Sequence, residues 1–349
     1  MPLSALIPPT TDPTPIFEHF RGNYGAELLT AAVAHFGVFE KLAAEPLPAD
    51  ELQHSLSLKR RPFIVLLTAL KAMGLLREYV GKIMLTPRAD EHLKPGGPFD
   101  VSGYLGLAAN SPGTLEMVER LRTNRPAGAA EKDTGAAFIF RDGIESAMQR
   151  EAAARHFTMA LAGRAKNVAP VLAAKLPLDG AKCILDVGGG TGIYSIALLQ
   201  KHPSLRAIVL DGPEVLKVTA EMAAEYGVAD RLECRSGDMF RDEVPAGCDA
   251  VLFSNVLHDW DVLQCRELVQ RYAAALPDGG QLLVHDVFLN DAFDGPLPIA
   301  LYSAALFTLT EGRAYSIAEY RAWLLAADLQ PQGLIPTLIH CGVVAGRKA

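Results

Sequence analysis

The sequence predicts an α/β protein: a doubly wound, mostly parallel sheet in the second half, behind a mainly helical front end with a winged-helix outline. Three observations predict it. From Ala181 onward, short apolar runs alternate with helical stretches, the spacing of strand–helix–strand units. Ahead of that point helical periodicity dominates, broken by one small hairpin. A glycine-rich turn, Gly188-Gly189-Gly190-Thr191-Gly192, joins the first strand of the second half to its helix.

The chain has 349 residues, half of them hydrophobic and 21% charged. That rules out a disordered chain and is long enough for two domains. Lys and Arg number 33 against 40 Asp and Glu, a net charge of −7, which argues against wholesale binding of nucleic-acid phosphates. The longest charge-free stretches, Gly295 to Thr310 and Leu329 to Gly346, contain prolines and polar residues and fall short of the ~20 apolar residues of a membrane span. The opening residues, 1–15, lack a basic region and carry several prolines; they read as a disordered lead-in, not a signal peptide. Five cysteines without a CxxC pair fit free thiols in a reducing cytoplasm and speak against a disulfide framework or a zinc site.

In the front end, Ile16 to Phe36 has apolar residues at helical spacing, and Gly37 is a stop. A short helix near Ala49 to Leu56 is followed by a longer one from about Arg61 to Met73, capped by Gly74. Strands Leu76 to Val80 and Ile83 to Leu85 flank a turn at Gly81-Lys82. The helix from Arg61 is apolar on nearly every face, so it is built for burial on more than one side, whereas a DNA-reading helix needs polar side chains for base edges. Leu93 to Asp100 is a linker, and Val101 to Lys175 is again helical, with a loop around Arg125 to Thr134.

The second half predicts strands at Cys183 to Val187, Ala207 to Leu210, Leu232 to Arg235, Ala250 to Phe253 and Gln281 to Val287. Between them lie helices at Ile193 to Lys201, Glu214 to Tyr226 and Val262 to Ala275. Ligands of such sheets sit at the carboxyl ends of the strands, so each strand end is a candidate position. After the first come Gly188, Gly190 and Gly192, whose spacing lacks the third glycine of the dinucleotide form because position 193 is Ile193. The second ends at Asp211, a carboxylate suited to both hydroxyls of a ribose. The third leads to Asp238 and Met239, an acceptor for an adenine amine beside an apolar ring contact; a solvated turn residue is the plain alternative for Asp238.

The fourth strand runs into Asn255-Val256-Leu257-His258-Asp259-Trp260. Histidine titrates near neutrality, which suits His258 to take a proton from a hydroxyl, with Asp259 beside it as an orienting carboxylate. The fifth strand carries His285-Asp286. If the two strands are neighbours, these four N and O ligands also suit a divalent metal, but residue type alone is a permissive signal; the reading adopted has no metal, with Asp286 orienting His258 and His285 packed beneath.

DVGGGTG, the strand-end Asp211, GDMF, LHDWD with Cys265 following, and the late GRAYS segment, in that order and spacing, resemble the S-adenosylmethionine-dependent small-molecule O-methyltransferases of the caffeic-acid and acetylserotonin type. The resemblance covers most of the chain. It implies a Rossmann-like methyltransferase domain with S-adenosyl-L-methionine as cofactor, Gly188 and Gly190 at its amino-acid and ribose portions, Asp211 at the ribose, and Asp238 with Met239 at the adenine. Ser254 falls where the family usually has Lys or Arg near the cofactor. The resemblance also implies His258 as general base with Asp259 beside it, Asp286 in place of a supporting Glu, and a homodimer formed through the N-terminal domain. One departure stands out: many members have Glu in a G-R-E-R-[TS] segment, and this chain has Ala314 there, with Glu311 nearby.

The expected layout is a lead-in at 1–15, a winged-helix-like dimerisation domain at 16–100, a helical connecting region at 101–175 and the catalytic domain at 176–349. Phe157, Met159, Leu161, Trp260, Tyr302 and Phe307 are candidates for an apolar acceptor pocket, ordinary core packing being the alternative for each. The predicted reaction is methyl transfer to a hydroxyl of a small aromatic or polyketide-like molecule, with no nucleic acid or membrane as partner. The alternatives are C- or N-methylation or a non-methylating reaction on the same cofactor and, from another class, a winged-helix DNA-binding regulator, for which the basic cluster Lys59-Arg60-Arg61 speaks.

Overall fold

The computed structural model describes residues 2–125, 151–178 and 180–349. Two compact units emerge, and neither is one continuous stretch. The first comprises residues 18–137 and 289–316; the second comprises 1–17, 138–288 and 317–349. The expected segments 16–100, 101–175 and 176–349 are continuous stretches of sequence, whereas these units are not. Residues 289–316 lie far along the sequence, yet their helix Leu297–Leu309 is apolar all round and buries its length against Arg60–Ala72 in the first unit.

That first unit contains the helices Gly25–Ala34, Val38–Ala44, Ala49–Ser55 and Arg60–Ala72, then a hairpin of Leu76–Tyr79 and Lys82–Leu85. Leu47–Pro48 adds a third, antiparallel strand. The expected continuous helix from Ile16 is interrupted: Thr14–Arg21 gives way to a tight turn at Gly22–Tyr24 before Gly25–Ala34 begins. Gly25 faces Leu301, and an added Cβ there would lie 3.6 Å from its side chain, at ordinary van der Waals contact. Val80 (φ +49°) and Gly81 (φ +72°) make the left-handed hairpin turn, and Gly74 (φ +71°) follows the helix end as expected. Phe63, Val65, Leu66, Ala69 and Leu70 of the Arg60–Ala72 helix are all buried, with Leu28, Phe39, Ile83 and Phe307 in the same core. Arg61 is committed internally: its guanidinium donates to Asn124 Oδ1 (2.9 Å) and to the Thr310 carbonyl (2.8 Å).

The second unit is the doubly wound one. Helix α1 (Glu151–Lys175) precedes β1 (Cys183–Val187), α2 (Ile193–Lys201), β2 (Arg206–Asp211), α3 (Pro213–Glu225), β3 (Leu232–Ser236), β4 (Ala250–Ser254), α4 (Val262–Ala275) and β5 (Gln281–Leu289). After the excursion into the first unit come α5 (Ile317–Ala326), β6 (Leu329–Pro331), β7 (Ile335–Pro336) and β8 (Cys341–Lys348). The strand order is β6-β8-β5-β4-β1-β2-β3, with β7 on β8. β1 to β5 are parallel, and β8 runs antiparallel to both β5 and β6. β4 and β5 are buried almost throughout, as strands covered on both faces must be.

Chain order reverses between β1 and β4, and the carboxyl ends of parallel strands on either side of such a point form the ligand crevice. The lead-in is not loose where it is described: Leu3 donates its N–H to the Glu225 carbonyl at 3.0 Å, and Gln200 Nε2 donates to the Leu3 carbonyl at 2.9 Å. The expected loop beyond Arg125 lies outside the described residues. Among those described, no helix is long and apolar enough to cross a membrane.

Candidate active site

The turn after β1 is shaped by backbone that only glycine adopts without strain. Gly188, Gly190 and Gly192 have φ of +66°, +59° and +70°. A Cβ on Gly188 would lie 2.9 Å from Val256, and one on Gly192 3.0 Å from Thr219. Gly190 differs, because nothing lies within 4 Å of the place its Cβ would occupy. Its backbone therefore faces open space, the condition for close approach of a ligand.

Asp211, at the end of β2, braces this turn. Its Oδ2 accepts the Gly190 N–H at 2.9 Å and its Oδ1 accepts the Gly212 N–H at 2.7 Å. Burial raises its pKa against these two hydrogen bonds. Beneath the turn, Asp186 is fully buried and accepts from Ser195 Oγ at 2.7 Å through one oxygen. Its other oxygen has no hydrogen-bond partner among the described residues. Burial, with the Asp211 charge adding to it, pushes the Asp186 carboxyl up to about 7. An orphaned buried carboxylate oxygen under an open glycine cradle fits a site that receives a polar ligand.

After β3, Asp238 is exposed; its Oδ1 accepts the Phe240 N–H at 2.8 Å, and Arg241 stands 3.7 Å from Oδ2. Met239 is half-buried, its carbonyl accepting from Tyr272 Oη at 3.2 Å. Ser254 closes β4, and its Oγ is 2.8 Å from His285 Nδ1. His285 is fully buried, with Nε2 3.2 Å from Thr337 Oγ1 and the Tyr194 ring against it at 5.0 Å. Burial, with the Arg164 charge working the same way, depresses its pKa to about 3, so it is a neutral packing residue.

His258 lies on the short turn Leu257–Asp259 just beyond β4. Because β4 and β5 are adjacent, that turn meets Asp286 of β5: His258 Nδ1 is 2.6 Å from Asp286 Oδ1. An ionised carboxylate only accepts, so the proton sits on Nδ1 and, in the neutral imidazole, Nε2 carries the lone pair. Asp286 Oδ1 also accepts the Val287 N–H at 2.8 Å, and its Oδ2 accepts from Tyr320 Oη on α5 at 3.1 Å. Burial alone would raise the Asp286 pKa, but His258 and these donors hold it below the usual carboxylate range. Burial works against charge on His258 too, and the Asp286 and Asp259 carboxylates outweigh it, so its pKa is raised. Asp259 stands 3.7 Å from His258 Nε2, too far for a hydrogen bond, and burial pushes its pKa up to about 6. Among the described residues no cluster of three or more His, Cys, Asp or Glu is arranged to hold a metal ion.

Residues 124–330, more than half of the chain, match the family model of the O-methyltransferase domain. The chain belongs to the S-adenosylmethionine-dependent O-methyltransferases. This methyltransferase is 36% identical to the 3-hydroxy-5-methyl-1-naphthoate 3-O-methyltransferase of Streptomyces sahachiroi over 99% of its own length and 98% of the relative's. A family 2 O-methyltransferase from Planctomyces limnophilus, solved in complex with apigenin, shares 49% identity and a TM-score of 0.90, covering 99% of both chains. Human N-acetylserotonin methyltransferase, solved with S-adenosylmethionine, has the same fold: TM-score 0.59 at 22% identity, over 98% of this chain and 99% of that one. The methyltransferase uses S-adenosylmethionine as its cofactor, and the mixed α/β methyltransferase fold expected from the sequence is the one observed.

The residues proposed for the acceptor occupy varied settings. Trp260 is buried edge-to-face against Phe240, with ring centroids 4.8 Å apart. On α1, Phe157 is half-buried, whereas Met159 and Leu161 are 41% and 50% exposed. Tyr302 and Phe307 belong to the other unit: Tyr302 lies under the Arg21 guanidinium, and Phe307 is fully buried in that unit's core under Arg61. Ala314 is also fully buried there, its N–H donating to Ser303 Oγ at 3.2 Å. Sequence reasoning passed over Asp186, Ser195 and Tyr320 as site residues. Asp186 carried a local signal, an acidic residue opening the glycine turn; Ser195 and Tyr320 carried none.

Proposed function

We propose that the methyltransferase methylates a hydroxyl on an aromatic ring, with His258 as the general base. The observation that carries this reading is the 2.6 Å pairing of His258 Nδ1 with a buried, ionised Asp286, which leaves Nε2 as a proton acceptor. The cofactor, when bound, supplies an electrophilic methyl group on its sulfonium sulfur. The Gly188–Gly190 backbone gives it room, Asp211 accepts from its ribose with the lone pairs that the two backbone donors leave free, and Asp238 and Met239 flank its adenine. Ser254, hydrogen-bonded to neutral His285, is an uncharged neighbour of that site.

His258 Nε2 takes the proton of the acceptor hydroxyl, and the imidazolium is held by Asp286 until the proton leaves to solvent. A phenolic hydroxyl has a pKa of about 10, much nearer to an imidazole than an aliphatic alcohol is, so proton transfer to His258 favours an aromatic acceptor. The hydroxynaphthoate in the name of the Streptomyces relative carries its hydroxyl on such a ring. Phe157 and Trp260 are the apolar surfaces we assign to the flat acceptor in the catalytic unit.

We further propose that the N-terminal unit dimerises, which would cover its highly exposed Phe20, Tyr104 and Leu107, and that the protein works in the reducing cytoplasm, where its five free thiols persist. The deciding experiment incubates the protein with methyl-labelled S-adenosylmethionine and a panel of hydroxylated naphthoates, flavones and aliphatic alcohols. Label is expected on a phenolic oxygen. Transfer only to aliphatic alcohols, to carbon or to nitrogen would overturn the acceptor assignment.

A further inference from the structure

We infer that Tyr320 is a positioning residue for the proton-transfer step, acting on His258 through Asp286; this rests on the reading of His258 as the base. Asp286 lies at hydrogen-bond distance from His258 Nδ1, so the orientation of the carboxylate bears directly on that of the imidazole. One of its oxygens is shared by His258 and the Val287 N–H, and the other accepts from Tyr320 Oη at 3.1 Å. Rotation of the carboxylate breaks all three contacts together. The phenol is itself immobilised. Tyr320 is 1% exposed, and its ring is packed edge-on against Phe288 (5.4 Å) and Trp323 (5.0 Å). With Ala314 where the sequence pattern would place a carboxylate, α5 contributes the brace through this hydroxyl.

The hydrogen bond also has an electrostatic consequence with a definite sign. While His258 is protonated, Asp286 is already neutralised by it. Once His258 loses its proton, the Asp286 charge is exposed to its remaining donors, and the Tyr320 bond strengthens. Tyr320 therefore favours the deprotonated, base-competent imidazole. Among the described residues, Asp259 on its own turn also favours the proton and Arg164 of α1 opposes it.

The test is the pH profile of methyl transfer by full-length Tyr320→Phe, which keeps the packed ring and removes only the hydroxyl. Expected are a fall of about tenfold in kcat at pH 7, KM values within about twofold, and an acid limb displaced upward by about half a pH unit. In an Asp286→Asn background the same change is expected to have no further effect. An acid limb that coincides with the wild type, or a loss that adds fully to that of Asp286→Asn, overturns the inference. If Tyr320→Phe fails to fold, Tyr320→3-fluorotyrosine keeps ring and donor and strengthens the latter, so the limb is expected to move downward; an unmoved limb is again a refutation. His258→Ala separates the two readings: wild-type turnover in that variant removes the base assignment itself, while its loss alongside an unmoved Tyr320→Phe profile removes only the role of Tyr320.

Discussion

Asp286 Oδ1 lies 2.6 Å from His258 Nδ1, joining two residues 28 apart in the chain because β4 and β5 are neighbours in the sheet. The pair is buried, so its charge state is set by its partners and not by solvent. Replacing His258 with alanine removes the base and leaves the glycine cradle untouched. Turnover is expected to fall by about 10² to 10⁴-fold, with the affinity for S-adenosylhomocysteine, read by calorimetry, unchanged.

Asp286→Asn removes the charge that raises the His258 pKa against burial. The acid limb of the rate profile is then expected to move down, opposite to Tyr320→Phe, because a neutral amide no longer favours the imidazolium. The maximal rate is expected to drop by about 10²-fold or more, since an asparagine can accept or donate and no longer enforces the Nδ1 tautomer. A pH–rate series on purified variants reads both effects.

At the cradle, Gly190→Ala and Asp211→Asn address the cofactor alone. Alanine at φ +59° is strained by about 1 kcal/mol and sends a methyl group into the open space. Asparagine at 211 turns a donor toward either the Gly190 or the Gly212 N–H. Both are expected to weaken S-adenosylmethionine binding by more than about tenfold in titration calorimetry, while the Tm of the free protein falls by only a few degrees.

His285 gives a stability test with a fixed sign. Its folded pKa is depressed to about 3, below that of an unfolded histidine. As pH falls through about 6.5 the unfolded chain takes a proton that the native state refuses, so stability is lost from there down toward 3. At pH 5 the loss is about 2 kcal/mol for this one group. Thermal melts of the wild type and His285→Gln from pH 7.5 to 5 are expected to converge as pH falls. Parallel curves would show that His285 titrates normally.

The strand ends were legible in the sequence because each of their signals is local. A glycine run, an aspartate at the end of an apolar run, and a His-Asp pair after another are recognisable within a few residues, and the parallel sheet then aligns them at one edge. The buried polar partners carry no such local mark. Ser195 serves Asp186 from one turn into α2, Ser254 meets His285 across β4 and β5, and Tyr320 reaches Asp286 from 34 residues away.

Periodicity and composition by themselves determined the class of fold, the alternation of the five parallel strands with the three helices between them and the residues at their carboxyl edge. Only the tertiary structure decided that residues 289–316 join the N-terminal unit, that β8 inserts antiparallel between β5 and β6, and which donors hold Asp286. The reason is physical. Local pattern records which face of an element must leave water, but an apolar face is satisfied by any apolar partner. A buried carboxylate likewise accepts from whatever donor the packing delivers.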